Sequence, residues 1–291
     1  MTRRIFGARQ TTVAGEIVLT GLGVHSGAPV NIAIHPAEAD SGIRFLVTHG
    51  QSIVEIPADF RAITNVTLCT VLGDQKGATI ATVEHLLAAL RGLSIDNAYI
   101  EIDSGEVPIM DGSAAPFVNA IDECGIRELN EPRKYIKVLK PIRVEDSGCW
   151  GELAPHTGFF LDVEIEFDTP LIGRQRMSVE MSPQVFRREL SRARTFGFMR
   201  DVEKLWAAGR ALGASLENTV ALDDDRILNP EGLRFANEFV RHKTLDAIGD
   251  LTLSGAPLLA AYRSRRGGHR LNAMVLRSLF ADPTAWTYVQ A

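Results

Sequence analysis

A chain of 291 residues, 45% apolar and 23% charged, can bury a sizeable core as one large domain or two of ordinary size, and it is not a disordered polymer. A formal charge of -5 and a pI near 5.8 argue against a general nucleic-acid binder, which needs a basic face, but leave room for a local basic cluster on a phosphorylated small molecule. The three cysteines (Cys69, Cys124, Cys149) form no C-x-x-C, so neither a disulfide framework nor a cysteine zinc site is expected, and a reducing, cytoplasmic compartment fits.

The chain opens on MTRRIFGARQTTVAGE, which has basic residues but no apolar segment behind them. No run of about 18 apolar residues follows anywhere, so no integral membrane segment is expected. Strand-like alternation fills residues 16–24 (EIVLTGLGV), 30–36 (VNIAIHP) and 43–47 (IRFLV), and continues in IVEIPADF and TLCTVLG. TVEHLLAALRG reads as a helix, with Thr82 as its N-cap and Gly92 just past its end. AYIEID reads as a strand, and APFVNAIDECG as a helix with Pro116 in its first turn. The polar stretch RELNEPRK at 127–134 is the expected linker.

After it the order recurs. YIKVLKPIRVE and FFLDVEIEF read as strands, SPQVFRRELSRA as a helix opening near Ser182 with Pro183 at its first position, and DVEKLWAAGR as a further helical piece. NTVALD is a strand, GLRFANEFVRHKTLDAIGD a long helix over 232–250, APLLAAYRS a strand and GHRLNAMVLRSLF the last helix. Sheet then helices, twice, suggests an α+β protein of two similar domains, 1–129 and 130–291, each a sheet layered with helices.

Glu84 and His85 stand side by side at the head of an apolar helix, either at its solvated edge or with work to do. His242 and Asp246 are four apart on the long helix and share a face, with Asp250 four further along the same stripe. Such a pair is more often a solvated ion pair, but it is also a workable two-ligand arm for zinc. His85 can supply a third ligand, leaving a fourth position open for water, as in a catalytic site. Glu84 would then lie beside the metal without ligating it, placed to take a proton from water. No H-E-x-x-H is present. His269 in RGGHRLN reads plainly as a surface loop histidine. Read functionally it is a general acid, with Asp250 as its candidate orienter. His25 in GLGVHSG reads as a turn residue, and SGEVPIMDGSA as a turn and a helix cap. RARTFGFMR reads as a helix end on the core or as the mouth of an apolar channel with cations beside it.

GLGVHSG, TVEHLLAAL, PIMDGSAAPF, SRARTFGFMRD, LNPEGLRFANEFVRHKTLDAIGDL and GHRLN together spread over nearly the whole chain. As an ordered set they resemble the UDP-3-O-acyl-N-acetylglucosamine deacetylases, the zinc amidases of lipid A biosynthesis. The resemblance implies two similar α+β domains that sandwich the active site between their helical layers. It implies that His85, His242 and Asp246 hold the zinc, that Glu84 is the general base, and that His269 is the general acid supported by Asp250. Thr195 matches a threonine that polarises the oxyanion, and Lys243 a lysine that contacts the nucleotide sugar. The segment from Phe196 to about Ser215, with Phe198 and Leu212 in it, matches an insert that forms a hydrophobic passage for the acyl chain.

The partner implied is a UDP-linked acylated amino sugar, with no nucleic acid, and the chain is expected to be a monomer. Zinc fits the ligands, and ferrous iron or cobalt would fit them too. Two departures from the family pattern, GAS at 213–215 and the acidic run at 223–225, bear on acyl-chain fit rather than on chemistry. Two rivals stay open: a zinc amidase for another acylated sugar, and a non-catalytic relative of the same fold. Glu84, Thr195 and His269 beside a complete ligand set argue against the second.

Overall fold

The alternating segments at the start of the chain pair in an order different from their sequence order. In the computed structural model, which describes residues 9–75, 77–223 and 225–290, they form a five-stranded sheet. Its order is Ile17–Leu22, Pro29–Pro36, Ala98–Ile102, Ile43–His49, Ser52–Pro57. Residues 1–8 and Asp224 of the acidic run lie outside the described residues. Only Ile43–His49 and Ala98–Ile102 run parallel. A parallel pair needs a long crossover, and helix α1 (Glu84–Gly92) lies in that connection. The inward side chains Ile32, Ile34, Phe45 and Ile100 join Leu86, Leu87 and Leu90 of α1, and Phe117 and Ile121 of α2 (Ala115–Cys124), in one core.

A second, seven-stranded sheet is built from residues after 133. Its central strand, Leu258–Arg265, pairs with Cys149–Pro155 on one side and with Phe159–Glu166 and Lys134–Val138 in parallel. Helix α3 (Pro183–Val185) starts as its sequence predicts, with the Ser182 side chain accepting from Val185 N, and runs on as a π-helical turn over Phe186–Leu190. Helix α4 (Met199–Ala207) follows the short strand Phe196–Phe198. Helices α5 (Glu238–Thr252) and α6 (His269–Ala281) pack on the large sheet. The fold is α+β throughout, and no helix among the described residues is long and apolar enough to cross a membrane.

Helices α1 and α5 meet face to face. A Cβ placed on Gly249 would lie 2.0 Å from the Glu84 carbonyl oxygen, so only glycine allows this approach. That contact brings two helices far apart in sequence to backbone distance.

Four expectations need correction. The linker at 127–134 is mostly strand: Ile126–Pro132 pairs antiparallel with Arg9–Val13, and the ladder holds its backbone without an apolar pattern. Arg133 behind it is buried and donates to Asp96. The long helix begins at Glu238, not at 232. Gly232 takes a left-handed φ of 70°, and the Glu238 carboxylate accepts from Arg194 N and Arg234 N, so residues 232–237 wrap around that pair. Thr82 does not cap α1: it has φ 59°, its hydroxyl donates to Glu106, and Val83 precedes the helix. Finally, Cys149–Pro155, Arg174–Glu180 and Trp286–Gln290 are strands that pattern alone did not indicate. Arg174–Glu180 carries its charges outward, where Arg174 and Arg176 pair with Glu164 and Asp162.

Candidate functional site

The close packing of α1 on α5 gathers the residues singled out above. His85 lies in the first turn of α1 and His242 and Asp246 one turn apart on α5, and all three are buried. His85 Nε2 is 3.5 Å and His242 Nε2 3.3 Å from Asp246 Oδ1. The donor atoms of the three residues lie within 4.8 Å of one another. Tetrahedral ligands at zinc bond lengths stand roughly 3.3 Å apart, which matches these spacings.

Hydrogen bonding adds an independent argument. His242 Nδ1 donates to the Ala193 carbonyl at 3.0 Å, which leaves its Nε2 as a bare lone pair. Burial pushes this imidazole down to about 3, so it is neutral near pH 7. Asp246 Oδ1 is buried with no hydrogen-bond donor of its own. Burial works against the Asp246 charge, but the neighbouring Lys243 ammonium, which donates to Oδ2, helps to hold the carboxyl well below its usual range. A lone pair and an anionic oxygen 3.3 Å apart repel unless a cation lies between them. The three residues are therefore able to hold a divalent metal.

An acid–base pair flanks them. His269, at the first position of α6, donates from Nδ1 to Asp250 Oδ2 at 2.8 Å. Burial disfavours its cation, but the charges of Asp250 and Glu84 win and raise it to about 9. Its Nε2 faces Glu84 Oε1 across 3.8 Å. Burial raises the Glu84 carboxyl above the ordinary carboxylate value, against the pull of His269 and His85. One side of this gap can take a proton and the other can give one.

The other expected residues are placed around this centre. Lys243 donates to Asp246 Oδ2 at 2.8 Å, and its ammonium stands 5.7 Å from the Phe196 ring centre. Phe196 packs edge-on to Phe239 at 5.0 Å and lies 6.3 Å from the His242 ring. Phe198 neighbours Phe167 and stacks under the Arg200 guanidinium at 4.6 Å. Thr195 is half-buried, two residues beyond the carbonyl that holds His242, and its N–H donates to Gly112 O at 2.8 Å. Leu212 is brought elsewhere: 53% exposed, its N–H donates to His25 O at 3.2 Å over the N-terminal loop. Met199, Trp206 and Leu216 are exposed in the same segment.

Sequence reasoning missed several supports. Thr70 bonds both Glu84 and Asp250, and Asn272 bonds Asp250. Thr70 stands in a strand-like run and carries no signal. Asn272 follows His269 by one helical turn, a spacing that could have found it. The turn at 104–114 does more than cap a helix. Asp111 accepts from Arg234 at 2.8 Å, and a Cβ on Gly112 would lie 1.9 Å from Asn218 O, so this loop fits against the segment that carries Thr195. Buried Glu106 accepts from His25 N and Ser26 N and so fixes the His25 turn.

A family model described as UDP-3-O-acyl N-acetylglycosamine deacetylase matches residues 10–281. The chain belongs to this deacetylase family. Proteins named UDP-3-O-acyl-N-acetylglucosamine deacetylase from Brucella ovis, Brucella canis and Brucella melitensis are each 48% identical to it over 285 residues, which is 98% of this chain and 99% of theirs. The match to the deacetylase family runs from the first described strand to the end of α6 and stops before the strand Trp286–Gln290, so it covers α1, α5 and α6 together.

Proposed function

We propose that this chain is a metal-dependent amidase that removes the N-acetyl group of UDP-3-O-acyl-N-acetylglucosamine, giving acetate and UDP-3-O-acyl-glucosamine, the committed step of lipid A biosynthesis. The observation that carries this reading is the convergence of His85 Nε2, His242 Nε2 and Asp246 Oδ1 next to the facing Glu84 and His269. The deacetylase names of the relatives indicate the substrate.

Zinc suits the two imidazoles and one carboxylate, and ferrous iron is the alternative in the cell. Such a metal, when bound, polarises a carbonyl and lowers the pKa of water toward about 7. The chain's own residues do the rest. Glu84, as the carboxylate, accepts a proton from water while that water's oxygen adds to the acetamide carbon. Thr195 stabilises the charge that develops on the carbonyl oxygen. An amine leaves poorly as an anion, so His269 gives its proton to the nitrogen as the C–N bond breaks. Asp250 holds the imidazole in the orientation and charge state this needs. The proton on Glu84 then returns to His269 and restores the pair.

Lys243, a cation beside Phe196, contacts the nucleotide sugar. Phe196, Phe198 and Leu212 border the path of the acyl chain. The chain works in the cytoplasm as a monomer of two domains, one around each of the two larger sheets.

The test is acetate release from UDP-3-O-acyl-N-acetylglucosamine by the purified protein, with metal content measured on the same sample. Release that a chelator abolishes and zinc restores is expected. A fully metallated sample that releases no acetate overturns the proposal.

A further inference from the structure

Thr70 stands between the two halves of the acid–base pair and spends all its polar groups there. It is 1% exposed. Its hydroxyl donates to Asp250 Oδ1 at 2.6 Å, and its backbone N–H donates to Glu84 Oε2 at 3.1 Å. Its carbonyl accepts from Val83 N, just before α1, at 3.5 Å. One residue thus holds a carboxylate on each of the two facing helices.

The other oxygen of Asp250 is also held. Oδ2 accepts from His269 Nδ1 at 2.8 Å and from Asn272 Nδ2 at 2.7 Å, and Asn272 in turn accepts from the Tyr262 hydroxyl. A carboxylate pinned at both oxygens cannot turn about its Cβ–Cγ bond. With Oδ1 released it can turn, and the imidazole bonded to Oδ2 moves with it.

We propose that the Thr70 hydroxyl is a positioning group: it stops rotation of the Asp250 carboxylate and so keeps His269 Nε2 aimed across the gap toward Glu84. The proposal rests on the amidase reading above, with His269 as proton donor. A donor misplaced by about 1 Å can cost about a hundredfold in rate, and loss of one bond to a charged group about ten- to a hundredfold.

The bonds to Glu84 and Val83 are made by the Thr70 backbone and persist in any side-chain variant, which isolates the hydroxyl. Thr70→Val keeps the volume and removes the hydroxyl. Thr70→Ser keeps the hydroxyl and removes the methyl. Steady-state acetate release is measured for both, with metal content and melting temperature. The expected result is a kcat reduced by about ten- to a hundredfold in Thr70→Val at unchanged KM and metal content, and near wild-type in Thr70→Ser. A packing role gives the opposite order, with valine active and serine impaired, and overturns the proposal. A Thr70→Val enzyme with wild-type kcat does so as well. Should Thr70→Val fail to fold, Thr70→Ala replaces it: alanine slow and serine fast supports the proposal, and alanine as fast as serine overturns it. A metallated wild-type protein without acetate release is the failure of the amidase reading instead, so the two outcomes are distinguishable.

Discussion

Replacing Asp250 with asparagine should move the basic limb of the pH profile. His269 stands near 9 because the Asp250 charge, 2.8 Å from Nδ1, with help from Glu84 and Asp246, overcomes burial. Asparagine keeps the shape, and its oxygen can still accept from His269 and Asn272, while the Thr70 hydroxyl turns to accept from the new amide. Only the charge is lost. Burial then opposes the imidazolium with less to offset it, so the imidazole should fall toward the ordinary value of about 6.5, a drop of roughly two and a half units or about 3.4 kcal/mol.

At pH 7.5 the protonated fraction would fall from nearly all to roughly one tenth. The assay is kcat/KM for acetate release from pH 5 to 10. Wild-type activity should decline as pH rises through about 9. In Asp250→Asn the decline should come at least one unit earlier, at roughly 6.5 to 7.5. A bound cation lowers the limb in both proteins alike, so the difference between them is the tested quantity. Stability follows the same sign. The folded value lies above the unfolded one, so this pair stabilises the fold fully below about 6.5 and the contribution is lost as pH rises through about 9. The gap in melting temperature between wild type and variant should therefore narrow across that window. An unchanged basic limb in Asp250→Asn would refute the pairing of these two residues as the proton donor.

Alanine at His85, His242 or Asp246 should each empty the metal site, read by elemental analysis, and metal retained in any of the three removes that residue from the ligand set. Glu84→Gln should keep the metal and lose two to four powers of ten in rate. In the wild type the acidic limb should lie above the ordinary carboxylate value, since burial raises Glu84, with activity lost as pH falls through it. Gly249→Ala puts a methyl against the Glu84 carbonyl and should lower stability by about 1–3 kcal/mol in a denaturant melt, and a neutral result would show that α1 can shift away freely. A substrate without its acyl chain should lose kcat/KM by several powers of ten, because each buried methylene contributes about 0.8 kcal/mol. Equal rates would assign Phe196 and Phe198 to packing alone and leave Leu212 an exposed loop residue.

The local parts of the site were legible in the sequence. Helical geometry places residues four apart on one face, so His242, Asp246 and Asp250 declared a shared stripe, and apolar periodicity placed Glu84 and His85 at the head of a helix. Those relations depend only on the chain's own turn. Which histidine completes the donor set depends on the packing of α1 on α5, and Gly249 permits that packing without announcing its partner. The start of α5 at Glu238 was hidden for a similar reason: a buried carboxylate bonded to Arg194 and Arg234 overrides a helical pattern that runs on in the sequence. Thr70 shows the limit most plainly. Its neighbours spell a strand, and its importance arises from a hydroxyl and an N–H aimed at two helices that the sequence keeps far away. Periodicity is local and survives in a string of letters, whereas the direction of a hydrogen bond between distant segments exists only after the chain has folded.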